Sequence, residues 1–474
     1  MRRVSLNKLL LFSLFSVLIT SYSFCQEKSQ KNTRIIVLTD IENEPDDAMS
    51  MVRFLSYSNE FDIEGLIATT SCWQHDKVAD WRIKEIVNSY GKVWVNLIKH
   101  DNRYPSEQSL MDRIKRSYPQ YGMDAVGEDK DSEGSDWIVK IVDKEDIRPV
   151  WILVWGGPNC LAQALWKVKK TRRQQEVDKF VSKIRIYTIS DQDNSGPWIR
   201  ETFPTLFYIV SPGYEERGGG GYHYSTWVGI SGDKFHGRFR GADFSLVSNE
   251  TLDSNIRKNH GELGEQYTWV KYLMEGDTPT FFYLIPNGLN DPENPNYGSW
   301  GGRYEFYSPR LQKWHYKQET RPIWTDAVDE VLVADGYYYT SNQATIWRWR
   351  EAYQNDFFAR MDWCVKPFKE ANHPPIVKIG MNDKMVFHAG GDVNLIAEGC
   401  FDPDGDSLSY QWIYYREVGT YKDIINLTSS NSKVTSFISP KVDYPMTAHF
   451  ILQVKDNGKP RLTRYQRVIV TFIP

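Results

Sequence analysis

Eleven consecutive residues, Leu38-Thr39-Asp40-Ile41-Glu42-Asn43-Glu44-Pro45-Asp46-Asp47-Ala48, carry five carboxylates. Like charges this close repel, so the cluster destabilises the chain unless something cationic sits in it. Clustered carboxylates select hard cations, Ca2+ or Mg2+, over zinc. The plainer alternative is a solvated acidic loop in which Asp46 caps a following helix. Further along, Asp191, Asp193 and Asn194 could accept hydrogen bonds from sugar hydroxyls, or form an Asx-rich turn. Trp73 and Trp198 could stack on a sugar ring, or pack within loops. Arg303, beside Gly301 and Gly302, could meet a carboxylate or phosphate; a structural salt bridge is the commoner role. His75, His100, His223 and His260 show no metal-ligand spacing. His100 and His223 lie near loops that could line a pocket, which makes them candidates for a leaving-group acid.

The elements around these residues alternate. Ile35 to Leu38 is a short apolar run of the kind buried parallel strands show, and the acidic stretch directly follows it. Residues 48–55 read as helix, 61–68 as strand, 76–90 as helix and 93–98 as strand. Residues 135–142 read as helix, 150–154 as strand, 161–169 as helix, and 184–189 and 206–210 as strands. Strand–helix alternation predicts an α/β domain with a mostly parallel sheet, whose sites lie at the carboxyl ends of strands. That position favours a site over a solvated loop for Asp40 to Asp47.

Beyond residue 211 the pattern loosens. Gly218 to Gly221 reads as a flexible loop, and Asn287 to Tyr307 as ordered loop over a site. A helix is predicted from about Ile346 to Lys369. His373-Pro374-Pro375 marks a boundary. After it come short alternating runs (393–398, 408–414, 434–438, 450–454 and 464–472), the signature of a small all-β, immunoglobulin-like sandwich. Within it, Asp402-Pro403-Asp404-Gly405-Asp406 lacks the Glu of an EF-hand and reads as a tight turn.

The 474 residues, 41% hydrophobic and 25% charged, exclude a mainly disordered chain and a multi-pass membrane protein. Arg2, Arg3 and Lys8, the apolar run Leu9 to Ile19, and Ser23-Phe24-Cys25 read as a signal peptide cut after Cys25. A lipoprotein anchor on Cys25 is the alternative, weakened by Phe24. Residues 26–33 form a polar tail. The mature protein is then exported, whether periplasmic, cell-surface or released, with no transmembrane segment. Its 61 acidic residues outnumber the basic ones, which argues against nucleic-acid binding. Cys72, Cys160, Cys364 and Cys400 show no CxxC pattern, so neither zinc nor a disulfide is expected.

Thr39 to Ala48 resembles the Asp-rich signature of the inosine–uridine nucleoside hydrolase superfamily, with Leu38 standing where that family often has another Asp. The resemblance implies a nucleoside-hydrolase-like domain over 34–372 and Ca2+ as cofactor. Asp40 would ligate the ion and deprotonate the attacking water, Asp47 would be a second ligand, and Asp46 would hold sugar hydroxyls. Gly65 to Thr70 resembles the second-strand motif, which puts Trp73 or Gln74 at a sugar-contacting position. Trp155 to Ala162 resembles the motif that supplies a backbone carbonyl ligand, here Asn159, and Asp277 falls where the last acidic ligand is expected. Residues 131–135, 191–198, 286–289 and 300–304 resemble an exported bacterial branch, described in part as cellulose-binding, that carries a C-terminal immunoglobulin-like domain, here 373–474. The implied activity is Ca2+-dependent hydrolysis of a furanosyl nucleoside or glycan. The rival is a carbohydrate-binding protein on a retired hydrolase scaffold, and the implied partner is a carbohydrate or nucleoside in either case.

Overall fold

The computed structural model describes residues 32–211, 224–232, 239–307 and 322–474. The expected signal segment, the glycine run at 218–221 and His223 lie outside them. Strand β1 (Thr33–Thr39) forms because its apolar run can be buried on both faces: Ile35 and Val37 enter one core, Ile36 and Leu38 the other. Around it assemble β2 (Phe61–Ala68), β3 (Ile114–Arg116), β4 (Val150–Val154), β5 (Ile184–Ser190), β6 (Phe207–Ser211), β7 (Tyr304–Tyr307) and β8 (Ile323–Asp326). The sheet order is β3-β2-β1-β4-β5-β6-β8-β7. All neighbours are parallel except β7, which runs antiparallel to β8.

Helix α1 (Pro45–Ser56) starts at a proline, which suits its first turn. Its N-cap is Glu44 with no side-chain cap bond, so Asp46 is not the cap the sequence suggested. Asp46 and Asp47 instead sit in the first turn, where the helix dipole favours negative charge. Helix α2 (Asp80–His100) absorbs the strand expected at 93–98. The alternation Val93, Val95, Leu97 suggested a strand, but Val95 is exposed. Ile83, Ile86, Val87, Tyr90, Val93 and Leu97 are buried at helical spacing, and that longer pattern prevails. The helix predicted over 346–369 is two pieces, Ala344–Trp347 and Arg350–Trp363. No described helix is long and apolar enough to cross a membrane.

A hairpin, β9 (Asp329–Leu332) and β10 (Tyr338–Ser341), precedes the C-terminal strands. There, β11 (Lys384–His388), β13 (Ser409–Tyr414), β15 (Met446–Lys455) and β16 (Thr463–Ile473) form a sheet of order β11-β16-β15-β13. The pair β12 (Asp392–Ile396) and β14 (Val434–Ile438) shares a core with it through Val393, Leu395, Trp412, Phe437 and Phe450. Asp402 Oδ1 accepts the Asp404 and Asp406 amides at 2.8 and 3.1 Å, a tight turn as read.

The two parts share a continuous seam within the compact unit Thr33–Pro474. Tyr415, Ile451 and Tyr465 belong to the core of the α/β part. The Tyr465 amide donates to the Asn287 carbonyl at 2.9 Å, and a Cβ on Gly288 (φ 88°) would collide with the Tyr465 carbonyl. Arg467 Nη2 donates to the Leu289 and Tyr297 carbonyls at 2.5 and 2.8 Å. Asn287 to Tyr307 is therefore largely docking surface for the C-terminal strands, not a loop over the site.

Candidate active site

The carboxyl ends of β2, β1, β4 and β5 are adjacent in the sheet, and a cavity of about 70 Å3 opens there. Asp40 follows β1, and Asp46 and Asp47 come from α1. Trp73 follows β2, Trp155 follows β4, and Ile189 and Gln192 come from the end of β5. Glu44, Trp227, Tyr272, Leu273 and Asp277 complete the described lining, which includes no Lys, Arg or His.

Four of these carboxylates are buried with no ion-pair partner among the described residues. Burial pushes Asp40 up to about 7, relieved in part by a hydrogen bond from Ser71 and reinforced by the charge of Asp46. Asp46 is pushed up to about 6, again chiefly by burial. Asp47 is raised well above the usual range by burial and the charges of Asp40 and Asp46, and Asp277 by burial and the charges of Asp47, Asp46 and Asp40. Neighbouring glycines let the backbone approach them. A Cβ on Gly156 would stand 2.6 Å from Asp40 Oδ1, and one on Gly276 would stand 2.8 Å from Asp46 Oδ2. Glu275 turns the chain into this approach with a left-handed φ of 57°. It is held by Arg53 Nη2 at 2.9 Å and by the Tyr267 and Thr278 hydroxyls.

The donors are all oxygens, which suits a hard divalent cation. Asp277 Oδ2 is buried with no hydrogen-bond partner, as an atom awaiting a cation would be. Asp47 Oδ1 accepts the Thr39 hydroxyl and Asp46 Oδ2 accepts the Gly276 amide at 3.2 Å. Among the described residues no three His, Cys, Asp or Glu side chains converge as a ready-made metal group. The donor chemistry thus fits Ca2+, while the carboxylates as they stand are partly turned to protein donors.

Of the residues expected at the site, the cavity brings together Asp40, Asp46, Asp47, Trp73 and Asp277. The others lie outside its lining, and their side chains have the following partners. Gln74 donates to the Asp40 carbonyl at 3.2 Å and so holds the loop beneath the site. Asn159 heads the helix Asn159–Thr171, and its side chain ties Thr70 Oγ1 and the Gln120 carbonyl at 2.9 Å each. Asp191 forms a two-pronged ion pair with Arg200 at 2.9 and 2.7 Å. Asp193 Oδ1 accepts the Ser195 amide at 2.7 Å, an Asx turn, while its Oδ2 is buried with no hydrogen-bond partner among the described residues; Asn194 Oδ1 accepts the amide of the distant Met123 at 2.8 Å. Trp198 packs edge-on to Phe203. Arg303 pairs with Asp329 at 2.7 Å in the seam. His100 is also in the seam, 2.9 Å from His373, and no described histidine lines the cavity.

Sequence reasoning missed Trp155, Gln192, Trp227 and Tyr272. The first two were within reach, because each follows a recognised strand at its carboxyl end. Gln192 Nε2 donates to the Trp155 carbonyl at 2.5 Å, joining the ends of β4 and β5 across the cavity floor. Trp227 and Tyr272 come from irregular chain with no periodic signal.

A mostly parallel sheet with an acidic loop after its first strand, a second acidic segment late in the chain and a strand-rich C-terminal part defines a nucleoside-hydrolase-like class. Residues 34–304 match the family described as cellulose-binding Sde182, nucleoside hydrolase-like domain. Residues 392–472 match the C-terminal domain of the cellulose-binding protein Sde0182. The chain belongs to this family. It is similar to a solved nucleoside hydrolase-related protein from Saccharophagus degradans, described as associated with carbohydrate metabolism: 34% identity, 93% of this chain and 100% of that one, TM-score 0.78. A weaker likeness is to the effector protein XOO4466, at 8% identity over 71% of this chain and 95% of that one, TM-score 0.36. No protein of curated function matches.

Proposed function

We propose that this protein is a glycosyl hydrolase that removes a neutral sugar end group, with Asp40 as base and Ca2+ held among Asp40, Asp47 and Asp277. The observation that supports it most is Asp40 itself: a buried carboxylate at the carboxyl end of β1, lining the cavity, pushed up to about 7. A base poised near neutrality takes a proton from water efficiently at that pH. Ca2+ bound there would supply positive charge to acidify a water and anchor sugar hydroxyls. The water's proton passes to Asp40 as its oxygen attacks the anomeric carbon; the glycosyl bond breaks and the leaving group takes up a proton from solvent. Asp46 and Asp47 place negative charge beside the oxocarbenium-like transition state. Trp73 and Tyr272 line the same cavity and offer apolar faces to the sugar. A cavity of about 70 Å3 is well below the roughly 300–1,000 Å3 that encloses a larger ligand, so it would take only the tip of a chain end. Export, expected from the first 25 residues, and the family's cellulose-binding description both favour a glycan over a nucleoside.

The second reading is a carbohydrate-binding protein without catalysis. Leu38 favours it: where related hydrolases often carry Asp, this side chain is fully buried in an apolar core. Sugar release from a panel of nucleosides and neutral glycans, with Ca2+ or with chelator, decides between the readings. Chelator-sensitive release that falls at least a hundredfold in Asp40→Asn is the expected result. Glycan binding that survives Asp40→Asn, with no release from any substrate, would establish the binder.

A further inference from the structure

Large aromatic side chains left in solvent are ordinarily scattered singly over a surface. Here two, Trp73 and Tyr272, line one opening, and two more, Trp81 and Trp269, stand on segments whose neighbouring residues bond to its rim. Trp73 and Tyr272 form part of the cavity wall and remain 40% and 42% exposed. Trp81 and Trp269 are 57% and 56% exposed and stand on segments tied to the acidic loop at the cavity mouth. Arg82, next to Trp81, pairs with Glu42 at 2.9 Å and donates to Gln266 Oε1 at 2.6 Å. Thr268, next to Trp269, donates its hydroxyl to the Pro45 carbonyl at 2.8 Å. These bonds join the start of α2, the loop Glu42 to Pro45 and the segment Gln266 to Tyr272 into one continuous surface around the mouth. Arg257 lies 4.6 Å over the Trp269 ring, which orders that indole while leaving it more than half exposed. Neither Trp81 nor Trp269 is needed to fill a core.

We infer that Trp73, Tyr272, Trp81 and Trp269 form a platform for an extended neutral glycan whose terminal sugar enters the acidic cavity. The inference rests on the reading that the cavity takes a sugar. A sugar ring has an apolar C–H face that stacks on an indole and a hydroxyl rim that meets polar neighbours, so flat exposed aromatics with polar groups between them match it. The chain must extend beyond its end residue to reach Trp81 and Trp269, which lie outside the cavity lining. The chain must be neutral, because five carboxylates and no cationic side chain line the described cavity. Uronic acids and phosphorylated sugars would be repelled there. A nucleoside, by contrast, would leave Trp81 and Trp269 unused.

The test is calorimetric titration of the full protein with linear gluco-, xylo-, manno- and arabino-hexasaccharides and with the matching disaccharides. At least one hexasaccharide should bind about tenfold more tightly than its disaccharide. Trp81→Ala/Trp269→Ala should remove that advantage and leave disaccharide affinity within about twofold. Both side chains are more than half exposed, so the melting temperature should stay near that of the wild type. The platform is overturned if the wild type binds both lengths equally, if the double variant keeps the advantage, or if no sugar of the panel binds. Running the titration in the Asp40→Asn background separates this inference from catalysis. Length-dependent, tryptophan-dependent binding without sugar release leaves the platform standing and removes the hydrolase. Release from short glycosides with no length dependence does the reverse.

Discussion

Asp356 and Asp277 are equally buried, each 2% exposed, and they titrate in opposite directions. Asp356 lies in the seam between the α/β part and the C-terminal strands. Arg360 Nε reaches its Oδ1 at 3.1 Å and Arg464 Nη1 its Oδ2 at 2.6 Å. Burial alone would raise it, but the two guanidiniums overcome burial and hold it down at about 2. Asp329, in the same seam, is likewise lowered against burial, by Arg348, Arg303 and a hydrogen bond from Tyr415. Asp277 is raised by burial and then by Asp47, Asp46, Asp40 and Glu44, all of its own sign. The seam is charge-balanced and finished. The cavity is charge-rich and incomplete, which is the usual mark of a site for something that arrives from outside.

If that contrast is right, removing a seam carboxylate is the most damaging single change. Asp356→Ala leaves Arg360, 2% exposed, and Arg464 facing an empty space. Breaking a buried pair from one side typically destabilises by about 3–5 kcal/mol. Urea unfolding of the variant measures it directly, and a loss below about 1 kcal/mol would mean that the seam pairing is incidental. The C-terminal strands would then be closer to a spacer than to part of the core.

The contrast also sets the pH dependence. Asp40 and Asp46 titrate near 7 and 6 in the folded chain and near 3.8 when unfolded. Between those values the folded chain holds protons that the unfolded chain has released. Without a cation, stability is therefore greatest at the acid end of this window and falls as pH rises through 6 and 7, by about 1.4 kcal/mol for each group and each step of one in pH. Asp356 works the other way: its contribution is present above its unfolded value and is lost as pH falls towards 2. Thermal unfolding in chelator should show a lower melting temperature at pH 8 than at pH 5, and Ca2+ should narrow the gap. An apo protein that is as stable at pH 8 as at pH 5 would contradict the uncountered cluster.

How far the two regions could be read from sequence differs for a physical reason. Strands β1, β2, β4, β5 and β6 are apolar runs bounded by turns, and Asp40 to Asp47 lies directly after the first, so the sheet and the acidic half of the site were legible. The seam was not, because Asn287, Gly288 and Arg303 belong to motifs rich in Gly, Trp and Arg, which read equally well as ligand loops. What distinguishes them is a partner outside the motif, Tyr465 for Asn287 and Asp329 for Arg303. Residues 191–194 show the same limit at short range. Asp191, Asp193 and Asn194 were the evident polar candidates, yet they bond to Arg200, Ser195 and Met123 outside the cavity lining, and their neighbour Gln192 is the one that reaches the cavity. Val93 to Ile98 failed because a six-residue alternation was weighed without the longer helical spacing around it.

A smaller effect with the opposite sign to Asp356→Ala is expected at Asp277. Asp277→Asn keeps the shape, removes one of the repelling charges and leaves no buried cation unpaired. In chelator at pH 8 the variant should be more stable than the wild type, because burial and the neighbouring carboxylates disfavour the charged form of Asp277. It should also lose the Ca2+-dependent rise in melting temperature, which for the wild type is about 2.7 kcal/mol at a hundredfold excess over Kd. Destabilisation of the apo variant would place Asp277 with the seam residues, as a structural carboxylate.

The smallest effect on stability is expected at Trp73. This side chain is 40% exposed, and its loop is fixed by backbone bonds that do not involve the ring: the Trp73 amide donates to Ser71 Oγ at 3.0 Å and the Cys72 amide to the Gln192 carbonyl at 2.7 Å. Exposed substitutions away from such bonds usually stay within about 0.5 kcal/mol, so Trp73→Ala should unfold almost as the wild type does. Its consequence should appear instead in sugar affinity, because the ring is a wall of the cavity. Trp198, which looked equivalent in sequence, packs on Phe203 and lies outside the cavity lining. Trp198→Ala should show the reverse pattern, a measurable loss of stability with sugar affinity unchanged. Paired unfolding and titration curves for the two variants test the assignment, and a matching pattern in both would erase the distinction between wall and packing.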